Sequence, residues 1–120
     1  MPKHAISWFE IPVTDLERAA TFYETVLGTA FERMDLGGPT AVFPADEDGV
    51  GGALIFDGGE PSLTGPLVYL DTNGELDEAL ARVANAGGEV LLAKTDAGGH
   101  GFYAYIKDTE GNRVALFESP

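Results

Sequence analysis

Trp8 and Glu10 stand two residues apart in a segment whose apolar residues Phe9, Ile11 and Val13 alternate with the rest. Alternation at period two is strand patterning, so the indole and the carboxylate share one face. Such a pair can flank an organic cation, the ring contact contributing roughly 0.5 to 2 kcal/mol. Glu10 is also a candidate general base if it lies in a hydrophobic setting, although no second acid or nucleophile stands nearby to complete a mechanism. Near the other end, Asp108-Thr109-Glu110-Gly111-Asn112 suits a three-residue hairpin loop with Gly111 in the left-handed bulge position. Pairing Asp108 with Asn112 sets Lys107 opposite Arg113, Tyr105 opposite Ala115 and Tyr103 opposite Phe117, all on one face. Ala104, Ile106, Val114 and Leu116 fall on the other, as expected beneath a helix. Arg113 is then either a ligand contact or the ion-pair partner of Glu10.

The remaining reactive chemistry is sparse. Cysteine is absent, which excludes disulfides, thiolate metal sites and cysteine nucleophiles. Of the two histidines, His4 lies six residues before Glu10, about 20 Å along an extended strand, so the two cannot chelate one ion. His100 with Glu10 or Glu118 stays open as an unorthodox metal site. His100 belongs to Asp96-Ala97-Gly98-Gly99-His100-Gly101, a small-residue stretch directly before a strand, which suits a mobile flap with His100 at the rim of a site. No helix follows these glycines, so a phosphate cradle is disfavoured.

Composition bounds the class. At 120 residues and 12.7 kDa the chain is expected to be one domain, residues 1–120, with 44% hydrophobic residues. No apolar run approaches the roughly 20 residues of a membrane span, and Met1-Pro2-Lys3-His4 carries no apolar leader, so a soluble, cytoplasmic protein is expected. Twenty acidic residues against seven basic give a formal charge of -13. That field repels phosphate backbones and anionic membrane surfaces, which argues against nucleic-acid and membrane partners, and it disfavours a free glutathione-like anion.

The elements that must position these residues come from an internal echo. Asp48-Gly49 ahead of Ala53-Leu54 is repeated by Glu110-Gly111 ahead of Ala115-Leu116. Upstream, the strand ending Phe9 to Val13 runs into a Gly28-terminated helix, as Leu67 to Leu70 runs into a Gly87-terminated one. In the first helix Thr14 and Glu17 form a capping box, and Leu16, Ala20, Tyr23 and Leu27 recur at helical spacing. The second, from about Glu75 to Ala86, carries Leu76, Leu80 and Val83 on one stripe. Further strands are expected at Thr29–Met34, Thr40–Phe43, Gly52–Phe56, Glu89–Ala93, Phe102–Lys107 and Arg113–Phe117. The fold class is therefore α+β, two tandem βαβββ modules at about residues 4–57 and 66–118, joined by the turn-rich stretch Gly58 to Pro66. Carrying the face assignment across the repeat places Trp8, Glu10, Ala53, Leu67, Tyr69, Tyr103, Tyr105, Arg113, Ala115 and Phe117 on the cleft side.

The Asp15-to-Gly28 segment, Asp-Leu-Glu-Arg-Ala-x-x-Phe-Tyr-x-x-x-Leu-Gly, together with Asp108-Thr109-Glu110-Gly111-Asn112-Arg113-Val114-Ala115-Leu116, resembles the vicinal oxygen chelate superfamily. That superfamily includes glyoxalase I, bleomycin-resistance proteins, fosfomycin-resistance enzymes and extradiol dioxygenases. The resemblance covers essentially the whole chain and implies an eight-stranded open barrel around a cleft, often completed in a homodimer. It also implies four metal-ligand positions, one on each of the first, fourth, fifth and eighth strands. Here they fall at Trp8, Ala53, Leu67 and Ala115, none of which can hold a divalent metal. The expectation is a small-molecule binding protein without metal or other cofactor, taking an aromatic or cationic compound against Trp8, Glu10, Leu67, Tyr69, His100, Tyr103, Tyr105, Arg113 and Phe117. The alternative is a lyase, isomerase or dioxygenase-type enzyme with an atypical metal site or acid-base chemistry through Glu10. A partner-binding module using a sheet edge or the acidic surface is a third reading.

Overall fold

Alternation and capping chemistry generate each half of the chain in turn. The computed structural model describes residues 4–120; Met1, Pro2 and Lys3, where the absence of an apolar leader was read, lie outside them. The first module runs β1 (Trp8–Val13), α1 (Leu16–Leu27), β2 (Glu32–Asp35), β3 (Pro39–Val42) and β4 (Gly51–Phe56). The second runs β5 (Tyr69–Asp71), α2 (Leu76–Val83), β6 (Glu89–Asp96), β7 (Phe102–Lys107) and β8 (Arg113–Glu118). Each module is one four-stranded sheet, ordered β1-β4-β3-β2 and β5-β8-β7-β6, so the expected α+β, tandem βαβββ architecture is what forms.

The duplication is visible in the pairing. β1 lies parallel to β4 with Glu10 opposite Ala53, and β5 lies parallel to β8 with Tyr69 opposite Ala115. Glu10 and Tyr69 are therefore equivalent positions, as are Trp8 and Leu67 two residues earlier. In β7 and β8 the partners are Lys107 with Arg113, Tyr105 with Ala115 and Tyr103 with Phe117, closed by Gly111 at φ 97°. Local turn chemistry decides this register.

One core serves both modules. Ile11, Val13, Phe22, Tyr23, Val26 and Leu54 of the first pack with Leu76, Val83, Ile106, Val114 and Leu116 of the second, and α1 packs against α2. The opposite sheet faces carry the residues that alternate with these, including Trp8, Glu10, Tyr103 and Tyr105, which are exposed or half-buried.

Several boundaries depart from the sequence expectation. The N-cap of α1 is Asp15, whose carboxylate accepts from the Arg18 N–H, rather than Thr14 in a capping box. Glu17 instead binds Arg33. The free N–H groups at the start of α1 go to Glu110: its carboxylate accepts from the N–H groups of Thr14 and Asp15, the Thr14 hydroxyl, and Nε and Nη2 of Arg18. At the other end of α1, Arg82 of α2 donates twice to the Val26 carbonyl. Both ends of the first module's helix are thus held by charges of the second, each with the sign that complements the helix dipole. α2 is shorter than expected, with regular helix ending at Val83, whereas β6 extends to Asp96 through two irregularities in its pairing with β7.

Candidate functional site

The sheet faces turned away from the helices do not form one continuous wall. A groove of about 1270 Å³ runs between β1 and β5, lined by Trp8 and Glu10 on one side and Leu67 and Tyr69 on the other. Phe9, Leu27 and Phe43 also line it. Trp8 is 41% exposed and Tyr69 51%, large values for aromatic side chains on strands. The Trp8 indole N–H donates to the Glu10 carboxylate at 3.2 Å, which fixes the two groups relative to each other. Glu10 is exposed, so the hydrophobic setting that general-base chemistry would call for is missing.

Sequence reasoning passed over the rim of this groove. Asp46 and Asp48, in the loop before β4, line it together with Asp71 at the end of β5 and with Glu10. Four carboxylates and no lysine, arginine or histidine line the groove among the described residues. The approach of this acidic loop to the second module depends on how the halves pack.

Tyr103, Tyr105 and Arg113 lie on the face of the second sheet beside this groove rather than within it. Tyr69, shared by both places, stands 6.3 Å from Tyr103 between ring centroids, and Tyr103 stands 5.6 Å from Tyr105. The Tyr105 hydroxyl holds the Tyr69 phenol above its ordinary pKa; burial and Tyr103 add to the rise and Arg113 opposes it. The Arg113 guanidinium sits 5.6 Å from the Tyr105 ring centroid. The ion pair weighed between Arg113 and Glu10 does not form: neither makes a salt bridge among the described residues. Phe117, opposite Tyr103, is half-buried and touches the place where a side chain on Gly101 would project. His100 is exposed at the tip of the β6–β7 hairpin, apart from the groove lining. The stretch expected as a flap is a closed turn, with the Ala97 N–H donating to the Gly101 carbonyl and the Gly99 N–H to the Asp96 carboxylate. Glu118, weighed with His100 as a metal ligand, instead accepts from the Leu76 N–H at the start of α2 and faces Lys94.

The motif Asp108 to Asn112 does structural work. Buried Asp108 accepts a 2.6 Å hydrogen bond from Tyr23 of α1 and further bonds from the Glu110 and Asn112 N–H groups. The Asn112 side chain donates to the Pro12 carbonyl of β1. Burial, then the adjacent Asp108 carboxylate and its hydrogen bond, push the Tyr23 phenol well up. Burial alone would raise the Glu110 carboxyl; donors from Arg18, Thr109, Thr14 and Asp15 outweigh it and hold the group at about 2.

Paired βαβββ modules with this strand order define a class of two-module α+β proteins. Residues 5–116 match the Glyoxalase/Bleomycin resistance protein/Dioxygenase superfamily, and the chain belongs to it. A glyoxylase-like domain-containing protein of Didymella fabae is 30% identical over 96% of this chain and 94% of its own length. Two solved structures share the fold at 17% identity: a glyoxalase/bleomycin resistance protein from Albidiferax ferrireducens and the fosfomycin resistance protein FosX from Listeria monocytogenes. They have TM-scores of 0.78 and 0.70, cover 98% of this chain in both cases, and are themselves covered to 100% and 94%.

The donor set at the four superfamily ligand positions does not fit a metal ion. Ala53 and Ala115 are fully buried methyl groups, Leu67 has no donor atom, and the Trp8 N–H is already given to Glu10.

Proposed function

We propose that the chain is a metal-independent binding protein for small aromatic cations, held in the groove between β1 and β5 and closed over by a second copy of the chain. The observation that carries this reading is the groove itself. Its walls offer an indole, a phenol and a leucine, while its lining has four carboxylates and, among the described residues, no lysine, arginine or histidine. Rings on the walls supply apolar and cation-π contact, and the carboxylates supply the charge. The overall charge of -13 adds long-range attraction for cations. Exposed Ile6, Trp8 and Tyr69 around the opening are the apolar surface that a second copy would cover.

Thermal-shift and Trp8 fluorescence titrations with aromatic amines and quaternary ammonium compounds, set against neutral aromatic analogues, test it. Saturable quenching of Trp8, the single tryptophan, by the cations, with thermal stabilisation by them that is lost in Trp8→Phe, supports the reading. No response from any compound, or a stronger response to the neutral analogues, refutes it. Sedimentation at several concentrations tests the second copy. A lyase- or dioxygenase-type reaction through Glu10 is the other reading, favoured by the fixed indole-to-carboxylate contact. Turnover of methylglyoxal hemithioacetal or a catechol that disappears in Glu10→Gln would establish it.

A further inference from the structure

The tyrosine face carries a cation without a counter-charge. Among the described basic side chains, Arg18 pairs with Glu110, Arg33 with Glu17 and Glu24, Lys94 with Asp77 and Glu118, and Lys107 with Glu89. Arg82 is satisfied by the Val26 carbonyl. Arg113 has neither kind of contact. Its Nε is shut away from solvent with no acceptor, and its Nη atoms make no hydrogen bond to any described residue. In a chain with 20 acids for 7 bases, carboxylates are plentiful, yet none lies within ion-pair distance of this guanidinium. A buried N–H without an acceptor is destabilising, and arginine is the side chain least able to shed its charge instead.

The surroundings specify what would complete it. Tyr69, Tyr103 and Tyr105 stand in a row with tilted rings, and the guanidinium sits beside the last of them. The backbone N–H of Arg113 donates to the Ser62 carbonyl of the connector, which anchors the residue at the strand start. A planar fork of donors matches the two oxygens of a carboxylate, and the phenol rings match a flat apolar body. We propose that Arg113 and the Tyr69, Tyr103 and Tyr105 array form an anion subsite that takes the carboxylate of a flat aromatic molecule. This subsite adjoins the acidic groove, sharing Tyr69 with it, and is opposite to it in charge preference.

Naphthoate and naphthamide have the same shape and differ in charge, so they separate this idea from simple aromatic contact. Titration is followed by NMR, with the tyrosine ring and Arg113 Nε–H signals reporting the subsite and the Trp8 indole N–H reporting the groove. Naphthoate should move the Arg113 and Tyr105 signals saturably and bind at least about tenfold more tightly than naphthamide, the span expected for charge-assisted hydrogen bonds. Arg113→Gln should remove that advantage without changing naphthamide binding, and Arg113→Lys should keep part of it. Equal affinity for the two probes in the unmodified chain overturns the proposal whether or not the variants fold. So does naphthoate binding that Arg113→Gln leaves unchanged, or naphthoate shifts confined to Trp8. If naphthoate does nothing while Arg113→Gln turns a dimer into a monomer, the counter-charge belongs to a second copy and the subsite is likewise refuted. An aromatic amine monitored at Trp8 tests the groove independently, so either site can fail alone.

Discussion

Replacing Glu110 by glutamine should cost the fold about 2 to 4 kcal/mol at neutral pH, the range expected when a buried charge-assisted network is broken. The carboxylate has no exposed side-chain surface and accepts from the Thr14 and Asp15 N–H groups, the Thr14 and Thr109 hydroxyls, and Arg18 at 2.8 Å. Its pKa falls from an ordinary 4.5 to about 2, and at 1.36 kcal/mol per pKa unit this corresponds to roughly 3 kcal/mol. The sign follows from the depressed value: the contribution is fully present above the unfolded pKa and is lost as pH falls through the folded one. By pH 3 the unfolded chain is nearly fully protonated at this position, so more than half of the contribution, roughly 2 kcal/mol, has gone. Glutamine cannot titrate, so the gap between wild type and Glu110→Gln should narrow from pH 7 to pH 3. Urea unfolding followed by far-UV circular dichroism across that range measures the gap directly, and at neutral pH Tm should drop by roughly 10 °C. A difference below about 0.5 kcal/mol at pH 7 would refute the role given to Glu110. So would a difference that stays constant down to pH 3.

Two further substitutions probe the same frame. Tyr23→Phe removes the 2.6 Å donor to buried Asp108 and should cost about 1.5 to 3 kcal/mol in urea unfolding, with wild-type spectra retained in the folded state. Gly101→Ala should cost about 2 kcal/mol or more, because Gly101 has φ +122° and an added Cβ would meet the Glu118 carbonyl oxygen and the Phe117 ring. A thermal melt within a degree of wild type would contradict that placement.

What the sequence revealed depended on how local the cause was. The β7–β8 pairing follows from a five-residue turn, and the face bearing Tyr103, Tyr105 and Arg113 came with it. The N-terminus of α1 was misread because its chief acceptor, Glu110, lies some 95 residues away, where no capping pattern can register it. β5 is shorter than the apolar run from Leu67 suggests, although the Ala115 N–H still donates to the Val68 carbonyl. For the site, the types of residue at the four ligand positions were legible, as was the proximity of Trp8 to Glu10. The acidic rim was not, since Asp46, Asp48 and Asp71 meet across the two modules only after packing. Nor was the solitude of Arg113, because its expected partner Glu10 turns to the indole instead.

The two clamps on α1 have a consequence for how such a chain can change over time. A duplicated unit begins as two copies, each able in principle to stand alone. Here the first copy's helix takes its N-terminal acceptor from Glu110 and its C-terminal donor from Arg82, both on the second copy. The second copy's helix meets its own need at home, through Glu118 to the Leu76 N–H. At the helix ends, dependence therefore runs in one direction, although Asp108 and Asn112 of the second copy lean in turn on Tyr23 and Pro12 of the first. The second half is constrained at Arg82 and Glu110 by a neighbour's helix, while the exposed faces of both sheets carry no such constraint.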